Sequence, residues 1–252
     1  MMNATTMHRT TTHRPLLIVA AIVVVALGAV LWFRGANPQL VHEPVSQPLG
    51  AAARADVAIA LNIGQLRIGA LSQPNTLIAG EIAYQDRSTV ARDFVMHGDT
   101  AAFTLREQDS QANSLIKHSD DAAVWDLRLN PVTPMRLTLV SDVGNSAIDL
   151  AQLHVTDLDL KTSVGNITLT VPGQGHVQAL IRGGVGNTTI SIPAGVAVRL
   201  ALSIGLGSVN VPESYRQVGS GYVSPDFDTA TNRVDLTVSS RAGDITIKQI
   251  SE

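Results

Sequence analysis

Cysteine is absent from all 252 residues, so no disulfide, zinc–thiolate centre or thiol nucleophile is available. Aromatic residues make up 4% of the chain, too few to build stacking platforms for bases or sugars. The net charge is −3, from 18 Lys and Arg against 21 Asp and Glu. That balance lacks the clustered basic excess of a nucleic-acid footprint, and no nucleic-acid partner is expected. Catalytic signatures are missing too: no HExxH, Walker, GxSxG or paired-Cys pattern occurs. The Gly-rich stretches 64–69 and 183–186 lack the strand–loop–helix setting that cradles phosphate. The residues therefore predict no cofactor and no catalytic site, and the chain is not expected to be an enzyme.

What is present begins with one long apolar run. Leu16–Phe33, LLIVAAIVVVALGAVLWF, carries no charge. Its eighteen residues would span roughly 27 Å as a helix, close to the thickness of a bilayer core. Arg9 and Arg14 precede it, and Arg34 follows beside Trp32 and Phe33. The pattern predicts a single-pass membrane anchor, with residues 1–15 cytoplasmic and the rest extracytoplasmic. A cleaved signal peptide, with Ala26 and Gly28 as the small residues before the cut, is the rival reading. No Cys follows the run, so a lipoprotein signal is excluded. Residues 34–54 hold Pro38, Pro44 and Pro48 without a sustained period, which predicts an extended linker.

From residue 123 the chain repeats itself. DVGNSAIDL, SVGNITLTV and GVGNTTISI place Gly144, Gly165 and Gly186 at a fixed interval, each followed by Asn145, Asn166 or Asn187. The same step reaches Gly207, and the pattern returns at Gly243. Between the glycines apolar residues alternate: Ile148 and Leu150, Leu158 and Leu160, Leu169 and Val171, Ile190 and Ile192. Alternation is the period of a strand with one buried face. A repeat of about 21 residues, with two strands and two turns in each, predicts an all-β solenoid of stacked coils. Gly supplies a corner conformation closed to other residues, and Asn is a turn former. Stacked Asn145, Asn166 and Asn187 are expected to form an internal hydrogen-bonded ladder. Residues 55–122 are expected to hold a first coil and a β cap, and residues 123–252 the repeats. Glu213–Asn232 interrupts the period as an inserted loop.

The order of ALNIGQLRIGAL, LIAGEIAY, WDLRLNP and the VGN…LTVP phrases resembles the toast-rack proteins. These are β-solenoid domains of bacterial membrane proteins, related to LiaF-type cell-envelope stress proteins. The resemblance spans roughly residues 55–250 and implies no catalytic residues. A single anchor in place of several membrane spans departs from the LiaF pattern.

The side chains with chemistry are few. Asp157 and Asp159 share the outer face of one strand. In sequential stacking their neighbours are Gln178 and Arg199, and Leu180 and Ala201, which predicts a mixed, solvated face. Asp226, Asp228 and Asn232 offer oxygen ligands in the inserted loop, at a spacing short of a calcium motif, so an ordinary turn is expected. His97, His118, His154 and His176 are scattered and are expected as exposed turn residues. Asn166-Ile-Thr168 and Asn187-Thr-Thr189 match the glycosylation pattern, but the corner already accounts for them. The functional expectation is a binding or scaffold module of the envelope, with a protein or glycan partner met by the sheet faces and the 213–232 loop. A stress sensor acting through a membrane partner and a polysaccharide-active enzyme are the alternatives.

Overall fold

Strict alternation of buried and exposed residues makes almost every described segment a strand, from Val57, Ile59 and Leu61 near the start to Ile245 and Ile247 near the end. The computed structural model describes residues 40–86, 88–109 and 123–250. The expected anchor at Leu16–Phe33, His118 and the first fifteen residues lie outside that set. The strands are β1 (Leu40–Pro48), β2 (Arg54–Ile63), β3 (Gln65–Ala70), β4 (Thr76–Gln85), β5 (Ser88–His97), β6 (Thr100–Asp109), β7 (Val124–Leu129), β8 (Met135–Val143), β9 (Ser146–Asp149), β10 (Val155–Val164), β11 (Ile167–Thr170), β12 (His176–Val185), β13 (Thr188–Pro193), β14 (Val196–Leu206), β15 (Val209–Asn210), β16 (Arg216–Val218), β17 (Gly221–Val223), β18 (Asn232–Ala242) and β19 (Ile245–Ile250). No helix occurs among the described residues.

The strands form two sheets around one core. One has nine strands in the order β1-β4-β7-β3-β9-β11-β13-β19-β15, and the other ten in the order β16-β17-β14-β18-β12-β10-β8-β2-β6-β5. Each coil crosses from the ten-stranded sheet to the nine-stranded sheet at a glycine: β8 to β9 at Gly144, β10 to β11 at Gly165, β12 to β13 at Gly186. Neighbouring coils pair in parallel, with Leu139 beside Leu160 and Leu160 beside Ile181. The core is drawn wholly from residues between Val45 and Ile247, with Trp125 among its largest fully buried members. Leu40–Glu252 is accordingly one compact unit with its own interior.

The corners are fixed by contact between backbones. Gly165 has φ +139°, and a Cβ added there would overlap the carbonyl oxygen of Gly144. The Gly165 N–H donates to Val185 O at 2.8 Å, one level on. Beside the glycines a ladder runs outward. Asn145 Oδ1 accepts from the Asn166 N–H, Asn166 Oδ1 from the Asn187 N–H, and Asn187 Oδ1 from the Asp244 N–H, each at 2.9 Å. Asp244 Oδ1 then accepts from Ser208 N and Ser208 Oγ, both at 2.8 Å. The ladder runs along the exposed corner and not inside the column as the sequence suggested, because each amide reaches sideways to the next backbone.

Stacking order departs from chain order at both ends. Gly243 sits on Gly186, and Gly207 sits on Gly243. The coil β14–β15 thus stands one level beyond its expected place, and β18–β19 returns to fill the gap, pairing with β12 and β14 on its two sides. At the other end β2–β3 is an interior coil, between β6 and β8 in one sheet and β7 and β9 in the other. Within 55–122, β2–β3 is a coil, and β4 and β5 supply antiparallel strands at the end together with β1.

The linker expected over 34–54 is corrected by β1. Leu40–Pro48 pairs with β4 along its length, and Val45 is buried. The prolines misled because β1 is an edge strand, where a missing N–H can face solvent at no cost to the ladder. The two sheets are tied at this end by an ion pair from Arg92 on β5 to Glu43 on β1 at 2.8 Å. Tyr84 Oη also donates to Glu43, at 3.0 Å. That bond, after burial as the larger cause, holds the Tyr84 phenol above its usual pKa.

One buried polar residue clamps the hop from β7 to β8. Asn130 is fully buried; its Nδ2 donates to Pro74 O and Thr76 O at 2.7 and 2.9 Å, and its Oδ1 accepts from the Val132 and Thr133 N–H groups at 3.0 Å. Removing it leaves the buried Thr133 N–H without its acceptor, at about 1–3 kcal/mol, while the groups of Pro74, Thr76 and Val132 can turn to water. Asn130→Ala is expected to lower stability by about 1–3 kcal/mol, read as a fall in the urea midpoint. Gly165→Val combines a strained backbone with overlap of a carbonyl, and a loss of about 3 kcal/mol or more is expected in the same assay. Exposed Lys161→Ala, the control, should stay within about 0.5 kcal/mol of the parent.

The corner also predicts a pH effect. The Ser208 N–H, then its hydroxyl, hold the Asp244 carboxyl below its ordinary pKa. A carboxylate so depressed stabilises the fold above its unfolded pKa, and that contribution fades as pH falls through the folded value. In Asp244→Asn the amide can keep the ladder, as Asn145 does, without the charge. Melting temperatures at neutral pH and near pH 3 should therefore fall less in Asp244→Asn than in the parent.

Candidate functional site

The outer face of the ten-stranded sheet carries a file of mixed charge. Strand register stacks Asp56, Arg136, Asp157, Gln178, Asp235 and Arg199 in one file across six strands. The neighbouring file reads Thr138, Asp159, Leu180, Thr237 and Ala201. All of these residues except Asp56 line a shallow bowl of about 470 Å³. Its floor is apolar at Leu180 and Ala201, and its flanks are carboxylate, guanidinium and amide.

Asp235 organises the far half of the bowl. Its carboxylate meets His176 Nε2 at 2.7 Å, Gln178 Nε2 at 3.2 Å and Arg199 at 3.4 Å. Arg199 in turn lies 4.2 Å from the centroid of the Phe227 ring. In the near half Arg182 grips Asp159 with two bonds, at 2.6 and 2.8 Å. Thr156 Oγ donates to Asp157 at 2.9 Å. Each carboxylate is thereby oriented by a donor of this chain, and the bowl presents a preset pattern of charges to solvent.

Sequential stacking put Arg199 directly beyond Gln178; the structure places Asp235 between them. This carboxylate was missed because β18 arrives out of order. The distance from Ser208 to Asp244 is 36 residues where the repeat elsewhere is 21, and that excess was the available signal. His176 is corrected with it: instead of an idle turn residue it is a partner of Asp235. His97 ends the edge strand β5, and His154 serves the turn before β10 through its backbone.

The 213–232 insertion is a lid on the far end of the column rather than a free loop. β17 pairs antiparallel with β14, Phe227 and Tyr215 are buried, and Tyr215 Oη donates to Gln249 at 3.1 Å. Burial raises the Tyr215 pKa. Asn232 spends its Oδ1 on the Gly175 N–H at 3.0 Å, and the Asp226 carbonyl closes a turn with Thr229 and Ala230. Among the described residues no group of three or more His, Asp or Glu side chains is placed to hold a metal ion.

A two-sheet β-solenoid with glycine corners and a charged outer face is thus the class of this domain. The chain belongs to the toast-rack family: the profile described as the N-terminal domain of toast_rack matches residues 37–191. A second profile, described as cell wall-active antibiotics response LiaF, C-terminal, matches residues 143–247. Among solved structures, a candidate cell adhesion protein from Clostridium sporogenes ATCC 15579 shares the fold, with a TM-score of 0.74 at 20% identity, over 85% of this chain and 100% of that one. A candidate adhesin from Bacteroides fragilis NCTC 9343 aligns over 84% of this chain and 98% of its own at 12% identity, with a TM-score of 0.35, too low to bear on the fold. No curated protein sequence matches the chain. The family and its LiaF-like region relate the domain to the cell envelope.

Asp235→Ala leaves His176, Gln178 and Arg199 without their common acceptor. Because Asp235 is partly exposed, a loss of about 1–2 kcal/mol is expected by urea denaturation. A variant indistinguishable from the parent would show that the network does not couple β12, β14 and β18.

Proposed function

We propose that the chain is a non-catalytic binding module, tethered to a bacterial membrane by Leu16–Phe33, that engages an envelope protein or glycan through the bowl on its ten-stranded sheet. The observation that carries this reading is the bowl's pattern of preset charges on a rigid sheet. Asp159, Asp157 and Asp235 are each committed to a donor within the chain, an arrangement suited to recognition by shape and charge. Charge-assisted bonds from the single Arg182 Nη2 to both Asp159 oxygens hold that carboxylate in one orientation. The LiaF-like match favours a second reading, in which a partner captured in the bowl informs a membrane protein of wall damage.

Two measurements test the proposal. The absence of cysteine makes Ser163→Cys a single reporter. A membrane-impermeant maleimide should label it in intact cells; labelling only after lysis would place the domain on the wrong side. Purified Leu40–Glu252 should then co-sediment with peptidoglycan sacculi or with proteoliposomes of extracted envelope proteins. Arg199→Glu with Arg182→Glu should weaken that binding about tenfold or more. Retention of full binding in the double variant would remove the bowl from the function.

A further inference from the structure

The bowl leaves unexplained a second surface feature, an apolar rib along the glycine corner. Ile63, Val143, Val164, Val185 and Leu206 are 45–74% exposed. They are five of the eleven large hydrophobic side chains exposed in the described residues. Register places them in one file with Ala242: Ile63 beside Val143, then Val164, Val185, Ala242 and Leu206. At about 4.8 Å per strand the rib is roughly 24 Å long. Its backbone is pinned level by level, as Gly144 N donates to Val164 O and Gly186 N to Ala242 O, at 2.8 and 2.9 Å. An ordered apolar file of this length on a small domain marks an interaction surface.

We propose that this rib is the interface of a two-fold dimer, with the rib of a second copy laid antiparallel upon it. Two observations select that occupant. First, the rib is commensurate with itself: two copies share one spacing and match at every level. A helix advances 5.4 Å per turn and would drift by about 3 Å over the rib's length. Second, the flanking file is self-complementary in charge. Asp142 precedes the second rung and Arg241 the fifth. Antiparallel two-fold packing sets rung two against rung five, so Asp142 of each copy meets Arg241 of the other. Arg241 makes no ion pair within the chain among the described residues. On the other flank Asn166 would meet Asn187 of the second copy. A lipid surface is disfavoured, because the flanks carry these asparagines where a bilayer contact would carry aromatic and basic residues. One rib buries less than the roughly 800 Å² per partner of a standard interface, so the dimer should be weak, with a Kd near the micromolar range or above.

The test is sedimentation velocity on residues 40–252, which hold the whole core, from about 1 µM to about 1 mM. The expected result is a concentration-dependent dimer. Val164→Lys with Val185→Lys places like charges across the two-fold axis and should raise Kd at least about tenfold. Both side chains are half exposed, so the fold should survive, checked by an unchanged melting temperature. Arg241→Asp should also weaken association, and adding Asp142→Arg should restore it, which a merely structural role would not do. A monomer at every concentration overturns the proposal. So does a dimer indifferent to the lysine pair or to the charge swap. Co-sedimentation of the monomer with phosphatidylglycerol vesicles, lost in the lysine variant, would overturn it in favour of a lipid surface.

Discussion

Everything in this molecule is referred to the contact of one glycine backbone with the next. Gly144 stacks on Gly64, Gly165 on Gly144 and Gly186 on Gly165 so closely that no Cβ fits between them. The contact permits one vertical alignment of the corner. With the corner fixed, parallel pairing sets the register of both flanking strands, since a slip of one residue would turn every buried side chain outward. The core files, the exposed asparagine ladder, the bowl and the apolar rib are therefore consequences of one repeated geometry. A side chain gains a neighbour about 4.8 Å above it because the corner holds the coils in phase.

That dependence explains why the column was legible in the sequence and its order was not. Val-Gly-Asn at a fixed interval, with Leu and Ile alternating between, specifies strands, their buried faces and their stacking. It does not say which coil lies on which, since parallel neighbours contribute nearly the same apolar file at every level. Val177, Val234 and Val198 are interchangeable as core residues, yet Gln178, Asp235 and Arg199 beside them are not. The exchange of levels between β14 and β18 leaves the interior unchanged and rewrites the outer face. The mixed face of Asp157, Asp159, Gln178 and Arg199 was legible for that reason while Asp235 and Thr237 were not: the physics that fixes the core is indifferent to the order that assembles the bowl.

The ends follow different rules, and there the sequence misled in a different way. An open column exposes two sheet edges and the last layer of its core at each end. At the far end β16, β17 and Phe227 close it with short antiparallel pieces, which break the period and so read as an insertion. At the near end β1 carries Pro44 and Pro48, which read as a linker but belong to an edge. The Arg92–Glu43 pair joins the sheets where the apolar core stops. Asn130 shows the same economy: one buried side chain bonds two carbonyls and two N–H groups of the chain around it.

The bowl and the rib occupy different parts of each coil, and the corner holds them in fixed relation. The bowl lies along Asp157 and Asp159 on the outer face of β10, while the rib follows at Val164 on the same strand. Strand rise separates Asp159 from Val164 by roughly 17 Å. Two-fold packing through the rib would leave both bowls uncovered and repeat the same charge pattern on the two copies. A ligand with repeating units could then meet two bowls at once, and the second contact would form at the effective concentration set by the first. Weak association of the protein and weak binding of the ligand would reinforce each other, because each raises the local concentration of the other. For a domain whose bowl carboxylates are already paired with donors of the chain, such multiplication is a direct physical route from a shallow surface to firm attachment.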